Sequence, residues 1–121
     1  MIRIVQLNLE EVIHASHFIP HHEGKCKHLH GHSYTIQVSI AGIYNKTMLV
    51  DFGHVKNLIR RFDHSYLNKT FKYPSAENMS RYFALKILRL NKNIIDVTVT
   101  VWETEKSSAT TSISKGGKDE R

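Results

Sequence analysis

The sequence predicts an α+β domain: a four-stranded, mostly antiparallel sheet with two helices on one face. Two periodicities and their order along the chain carry this expectation. Tyr34, Ile36, Val38 and Ile40 alternate with Ser33, Thr35, Gln37 and Ser39, and Val97, Val99 and Val101 alternate with Asp96, Thr98 and Thr100. A period of two belongs to a half-buried strand. Between these runs, Phe52, Val55, Leu58, Ile59 and Phe62, and then Met79, Phe83, Ile87 and Leu90, recur at helical spacing. Strand pairs on either side of two helices make a ββααββ order, which suits a sheet covered on one face.

The elements follow in order. Residues 2–13 are rich in Ile, Val and Leu, with Val5, Leu7 and Leu9 alternating with polar neighbours, and read as the first strand. A polar loop with Pro20 and Gly24 leads to the second strand, and Gly42 and Asn45 mark the turn after it. Asp51 is placed to cap the first helix and Ser75 the second. Residues 63–74 read as a loop. The third strand runs through Val97–Val101, and residues 108–114 form a short last strand. The expected organisation is one domain over residues 1–114. Residues 115–121 have no apolar side chain to bury and are expected to be a flexible tail. A sheet this small leaves two open edges, which are commonly covered or paired with another chain.

With 121 residues, 40% of them hydrophobic and 23% charged, the composition is that of a globular domain. No apolar run is long enough to cross a bilayer, and no basic-then-apolar leader opens the chain. Cys26 is the only cysteine, so no internal disulfide can form. These features predict a cytoplasmic protein without a membrane partner. The formal net charge of +6 favours anionic partners. Nucleic acid is not the expected one: Arg60 and Arg61 are adjacent, but no aromatic-interleaved basic stripe accompanies them.

The nine histidines are the compositional oddity, and His17, His21, His22, His28, His30 and His32 crowd one stretch. His30-Gly31-His32 opens the second strand, where residues two apart share a face. His17 lies just past the end of the neighbouring first strand. Three imidazoles from two adjacent strands can hold a catalytic zinc with an open position. An isolated His-x-His pair reads equally well as a solvated strand end. Cys26, four residues earlier, can be a fourth ligand, a buried spacer, or a thiolate whose pKa is lowered by Lys25, Lys27 and a metal. Asp63-His64 can be a carboxylate orienting a ring, or simply two solvated neighbours. Glu103 ends the third strand; such a residue is ordinarily surface, yet a carboxylate can also accept two hydrogen bonds from an amino-imino ring edge.

Taken together, six segments resemble the 6-pyruvoyl-tetrahydropterin synthase and 6-carboxy-tetrahydropterin synthase family. They are Ala15-Ser16-His17, Cys26-Lys27-His28-Leu29-His30-Gly31-His32, Val50-Asp51-Phe52, Asp63-His64-Ser65-Tyr66-Leu67-Asn68, Pro74-Ser75-Ala76-Glu77-Asn78 and Glu103-Thr104. Each is weak alone; their order and spacing over nearly the whole chain make the resemblance strong. It implies zinc ligands at His17, His30 and His32, a catalytic thiol at Cys26, proton-transfer partners at Asp63 and His64, and a pterin-ring anchor at Glu103. It also implies the T-fold, in which three subunits join their sheets into a barrel and two trimers stack as a hexamer. The thiol and the Asp-His pair then come from different subunits. One departure is Ile13, where the family usually carries an aromatic residue; a packing adjustment is expected.

The short spacing from Cys26 to His30 is similar to the 6-carboxy branch, on the route to queuosine and related deazapurines. The 6-pyruvoyl branch tends to have a longer insertion, and a folate-route variant has glutamate in the role of Cys26. The implied reaction converts 7,8-dihydroneopterin triphosphate to 6-carboxy-5,6,7,8-tetrahydropterin with loss of triphosphate and acetaldehyde. The alternatives are the 6-pyruvoyl reaction and a non-catalytic zinc module, which would need neither Cys26, His64 nor Glu103.

Overall fold

A computed structural model describes residues 1–24 and 27–116. Its elements are β1 (Ile4–His17), β2 (His30–Ile43), α1 (Phe52–Arg60), β3 (Ser65–Tyr66), a short 3-10 turn (Leu67–Lys69), α2 (Ala76–Leu88), β4 (Ile94–Thr104) and β5 (Ser107–Ser114). The α+β class and the order of the main elements are as expected from the periodicities. The sheet differs in one respect. Among the described residues it has five strands in the order β3-β1-β2-β4-β5, and it is mixed, because β3 runs parallel to β1. Two residues are too few to show an alternation, so nothing in the pattern of residues 63–74 marks β3 as a strand.

One face of the sheet is apolar and meets the helices. Cross-strand partners share a face, and the register aligns Ile13 with Tyr34, Ile36 with Val101, Val38 with Val99 and Ile40 with Val97. These eight side chains are buried and join Val55, Ile59, Met79, Phe83 and Ile87 of the two helices in one core. The opposite face carries Asn8, Glu10, Gln37, Thr98 and Thr100. Asp51 caps α1 by accepting from the Gly53 N–H at 2.8 Å, and Ser75 caps α2 by accepting from the Asn78 N–H at 3.2 Å. Gly42 sits where the chain leaves β2. A Cβ there would stand 2.6 Å from the Asn93 carbonyl oxygen and 2.6 Å from the Leu49 side chain, so only glycine fits.

Residues 63–68 fasten themselves along the end of β1. The His14 N–H donates to Asp63 Oδ1 at 2.8 Å, and the His64 N–H donates to the His14 carbonyl at 2.6 Å. Ser65 and Tyr66 pair with Ala15 and Ser16. Asn68 then imitates a strand, accepting the Phe18 N–H and donating to the Phe18 carbonyl, both at 3.0 Å. This lacing explains why β1 extends to His17, four residues beyond the periodic part of its sequence. Lys115 is tied back to the body: its N–H donates to the Ile95 carbonyl and its Nζ to the Asn91 carbonyl, each at 2.8 Å. Residues 117–121, most of the expected tail, lie outside the described residues.

Candidate metal centre

The strand register brings three histidines to one end of the apolar face. His17, expected just past β1, is its last residue and pairs with His30, the first residue of β2; Ala15 pairs with His32. Because i and i+2 share a face, all three rings project to the helix side. His17 is fully buried. The ring centroids are 4.6 Å apart for His17 and His30, 4.7 Å for His30 and His32, and 5.1 Å for His17 and His32. Glu103 joins them from β4. It is the extra residue of a bulge against β5, where Trp102 pairs with Ser108 but Thr104 pairs with Ser107. Such a bulge re-aims a side chain. Single donor atoms from His17, His30, His32 and Glu103 all lie within 4.8 Å of one another.

The hydrogen bonds behind the rings set their protonation. His17 Nδ1 lies 2.8 Å from the Pro74 carbonyl oxygen, and His30 Nδ1 lies 2.7 Å from the His28 carbonyl oxygen. A carbonyl only accepts, so each ring carries its proton on Nδ1 and keeps a lone pair on Nε2. These two Nε2 atoms face each other at 3.0 Å. Two lone pairs at that distance repel, and a positive charge against both would stabilise the contact. Burial pushes the His17 pKa below its ordinary 6.5, against smaller opposing effects of the Pro74 carbonyl and Glu103. His32 is lowered in the same direction, again mainly by burial. Its Nε2 lies 3.0 Å from Glu103 Oε1, but without hydrogen-bond alignment, so this buried nitrogen has no hydrogen-bond partner among the described residues. Three imidazoles whose nitrogens converge, one of those nitrogens without a hydrogen-bond partner among the described residues, and a nearby carboxylate are a donor set that fits a divalent metal ion.

The orientation of His17 traces back to a helix cap. Pro74, whose carbonyl receives the His17 Nδ1 proton, immediately precedes the capping Ser75, and Asn78 Nδ2 donates to the Tyr73 carbonyl at 2.8 Å. The hydroxyl of Tyr34 lies 3.0 Å from His17 Nδ1 on the other side. Outer partners of this kind fix ring orientation and ligand basicity.

The remaining site residues named from the sequence are placed differently. Asp63 and His64 stand at the β1 edge, with His64 Nε2 3.5 Å from Asp63 Oδ2 and its side chain 80% exposed. The His14 N–H holds the Asp63 carboxyl below its ordinary range. His64 has its ring centroid 5.9 Å from that of His14, whose Nδ1 lies 2.8 Å from Ser33 Oγ. His14 and Ser33 are register partners one residue out of step with Ala15 and His32. They therefore lie on the opposite face of the sheet from the three clustered histidines. The chain brings His17, His30, His32 and Glu103 together, and leaves Asp63 and His64 apart from them at the β1 edge beside His14. Cys26 lies outside the described residues. Sequence reasoning missed His14, Tyr34 and the Pro74 carbonyl. Only the strand register, once known, reveals the first two; a proline before a cap gives no sign of what its carbonyl will accept.

Comparison with known proteins shows the family. Residues 6–113 match the family model described as 6-pyruvoyl tetrahydropterin synthase. The 6-carboxy-5,6,7,8-tetrahydropterin synthase of Haemophilus influenzae is 30% identical over 87 residues, 68% of this chain and 62% of that protein. The protein of the same name from Synechocystis is 36% identical over 86 residues, 60% of this chain and 67% of that protein. The match thus spans two thirds or less of these relatives' length. The structure of Caenorhabditis elegans 6-pyruvoyl tetrahydropterin synthase superposes with a TM-score of 0.70 at 25% identity, covering 93% of this chain and 97% of that one. A Plasmodium vivax structure of the same name, at 19% identity and a TM-score of 0.69, shares the fold. The chain belongs to the 6-pyruvoyl and 6-carboxy-tetrahydropterin synthase family, and its sequence relatives favour the 6-carboxy branch.

Proposed function

We propose that this chain is a zinc-dependent lyase that converts 7,8-dihydroneopterin triphosphate to 6-carboxy-5,6,7,8-tetrahydropterin, releasing triphosphate and acetaldehyde. The observation that carries the reading is the convergence of His17, His30 and His32 beside Glu103 in a chain whose relatives are named for that product. His17, His30 and His32 would hold the metal. When bound, zinc supplies a Lewis acid that acidifies hydroxyls and polarises a developing carbonyl. Glu103 accepts two hydrogen bonds from the amino-imino edge of the pterin and so fixes the ring beside the histidines. Cys26 accepts and returns a proton as a thiolate.

Asp63 and His64 form the second proton-transfer pair. The exposed His64 ring, at the β1 edge of its own sheet, serves a site completed by a neighbouring copy. The open edge of β1 over residues 4–13 and that of β5 support a closed ring of sheets, as a trimer or hexamer. Among the described residues no helix is long and apolar enough to cross a membrane.

A second reading is the 6-pyruvoyl reaction, which eliminates triphosphate but releases no acetaldehyde; the likeness to the Caenorhabditis elegans structure favours it. Mass spectrometry of the products formed from dihydroneopterin triphosphate decides. The 6-carboxy product with acetaldehyde supports the proposal, the 6-pyruvoyl product supports the second reading, and no turnover by metal-loaded protein refutes both.

A further inference from the structure

We propose that a basic cavity on the helical side of the molecule is a binding site for a triphosphate-bearing anion. The cavity has a volume of about 500 Å³ and lies between the outward face of α2 and the loop that carries Phe71, Lys72 and Tyr73. That is the size of a small-molecule site and much more than a single phosphate fills. Lys72, Arg81, Lys86 and Arg89 bring cations to it, and none of the described residues lining it is acidic. Arg81 and Arg89 lie two helical turns apart on one row of α2, while Tyr82 and Lys86 occupy the row beside it. Exposed Glu77 stands one turn before Arg81 on that row but does not line the cavity, so among the described residues the charged side chains of the lining itself are all basic.

The cavity also has the apolar part of a ligand site. Phe71 is buried, Tyr82 is half-buried, and Tyr73 stands 42% exposed at the rim. Lys86 Nζ lies 5.5 Å from the Tyr82 ring centroid, close enough for a cation–π contact that steadies the ammonium. A second hollow of about 490 Å³ shares Tyr82 and Lys86 with the first and adds His54 and Arg61, so the positive field continues past the cavity. Cations arrayed along a trough suit a row of anionic oxygens, and the Arg forks can take two of them at once. The loop with Lys72 runs directly into Pro74, whose carbonyl orients His17. One loop therefore serves both the cavity and the histidine cluster.

The occupant's triphosphate has two possible sources: the tail of a pterin triphosphate or a free nucleoside triphosphate. The site itself does not rest on the proposed reaction, because inorganic triphosphate probes it without turnover. Calorimetric titration with inorganic triphosphate should show saturable binding to the wild type and to His30→Ala/His32→Ala, in which the histidine cluster is dismantled. Lys72→Ala/Arg89→Ala, which removes two exposed side chains, should bind at least tenfold more weakly with an unchanged melting temperature. Equal binding by that variant, or loss of binding with the two histidines, overturns the proposal. Titration with ATP and turnover of dihydroneopterin triphosphate then separate the sources. A tenfold rise in KM at unchanged kcat in the Lys72→Ala/Arg89→Ala variant assigns the site to the substrate's tail. ATP binding tighter than that of inorganic triphosphate, and lost in the same variant, assigns it to a free nucleotide with its base on the aromatic wall. Either result upholds the anion site.

Discussion

Asn68 offers the most direct test of how the fold positions His17. Its side chain satisfies both backbone groups of Phe18, the residue immediately after His17, through two hydrogen bonds of 3.0 Å. Asn68→Ala removes both and leaves a half-buried N–H and C=O without their partners. A net loss of about 0.5–1.5 kcal/mol per bond, somewhat more for any group water cannot reach, makes the expected destabilisation about 2 kcal/mol. For a domain of this size each kcal/mol lowers the melting temperature by about 4 °C, so the expected fall is about 8 °C. Asn68→Asp is the sharper control. It keeps the acceptor for the Phe18 N–H but sets a carboxylate oxygen against the Phe18 carbonyl, and should destabilise at least as much. Thermal melts of the chelator-treated protein, at one protein concentration, measure both. A fall of less than about 2 °C for Asn68→Ala, worth only about 0.5 kcal/mol, would refute the claim that this side chain anchors the end of β1.

The metal centre, the substrate anchor and the divided site each yield a further expectation. Metal analysis should find about one zinc per chain in the wild type and almost none in His30→Ala/His32→Ala; full zinc in that variant removes the histidine cluster from consideration. The metal-free protein should lose stability as pH falls below 6.5, since the lowered pKa values of His17 and His32 mean the unfolded chain binds more protons there. Melts at pH 8 and pH 5.5 check the sign, and a higher melting temperature at pH 5.5 contradicts it. Glu103→Gln should weaken pterin binding roughly ten- to a hundred-fold while keeping its metal, whereas Cys26→Ala should lower kcat with substrate still bound; loss of zinc in Glu103→Gln would make Glu103 a ligand and not a ring anchor. Mixing inactive Cys26→Ala subunits with inactive His64→Ala subunits should restore part of the activity, and failure of re-annealed mixtures to do so would place both groups in one subunit.

Much of the fold was legible because its long elements are periodic. The alternation over Tyr34–Ile40 and Val97–Val101 and the caps at Asp51 and Ser75 appear in the structure where the pattern placed them. The ends of the elements were not legible, since tertiary contacts set them. β1 reaches His17 because residues 63–68 bind its far edge, and no local pattern near His17 records that distant segment. Strand parity put His30 and His32 on one face, and His17 at a neighbouring strand end, but parity alone left a solvated strand end equally open. What parity does not disclose is the proton on each ring. That depends on the Pro74 and His28 carbonyls, which the cap of α2 and the turn before β2 present.

If Asp63 and His64 have the proposed proton-transfer role, the two faces of the sheet bear on assembly. His17, His30 and His32 share a face with the core, closed behind by Tyr34 and Pro74. Asp63, His64 and His14 occupy the edge and the opposite face, where the His64 side chain is 80% exposed among the described residues. The sheet stands between the rings of the histidine cluster and that of His14, so a neighbouring copy that supplied His64 would spare one chain from presenting both groups to a single substrate. Among the described residues, the edge of β1 that ends beside His14 is unpaired from residue 4 to residue 13, and β5 leaves the other edge of the sheet unpaired. Strand pairing between those edges would seat the Asp63–His64 pair of one copy at the border of the next. The same contact that relieves the open edges would bring the separated groups towards a common site, so weakening the β1 edge should cost activity before it costs the fold of the subunit.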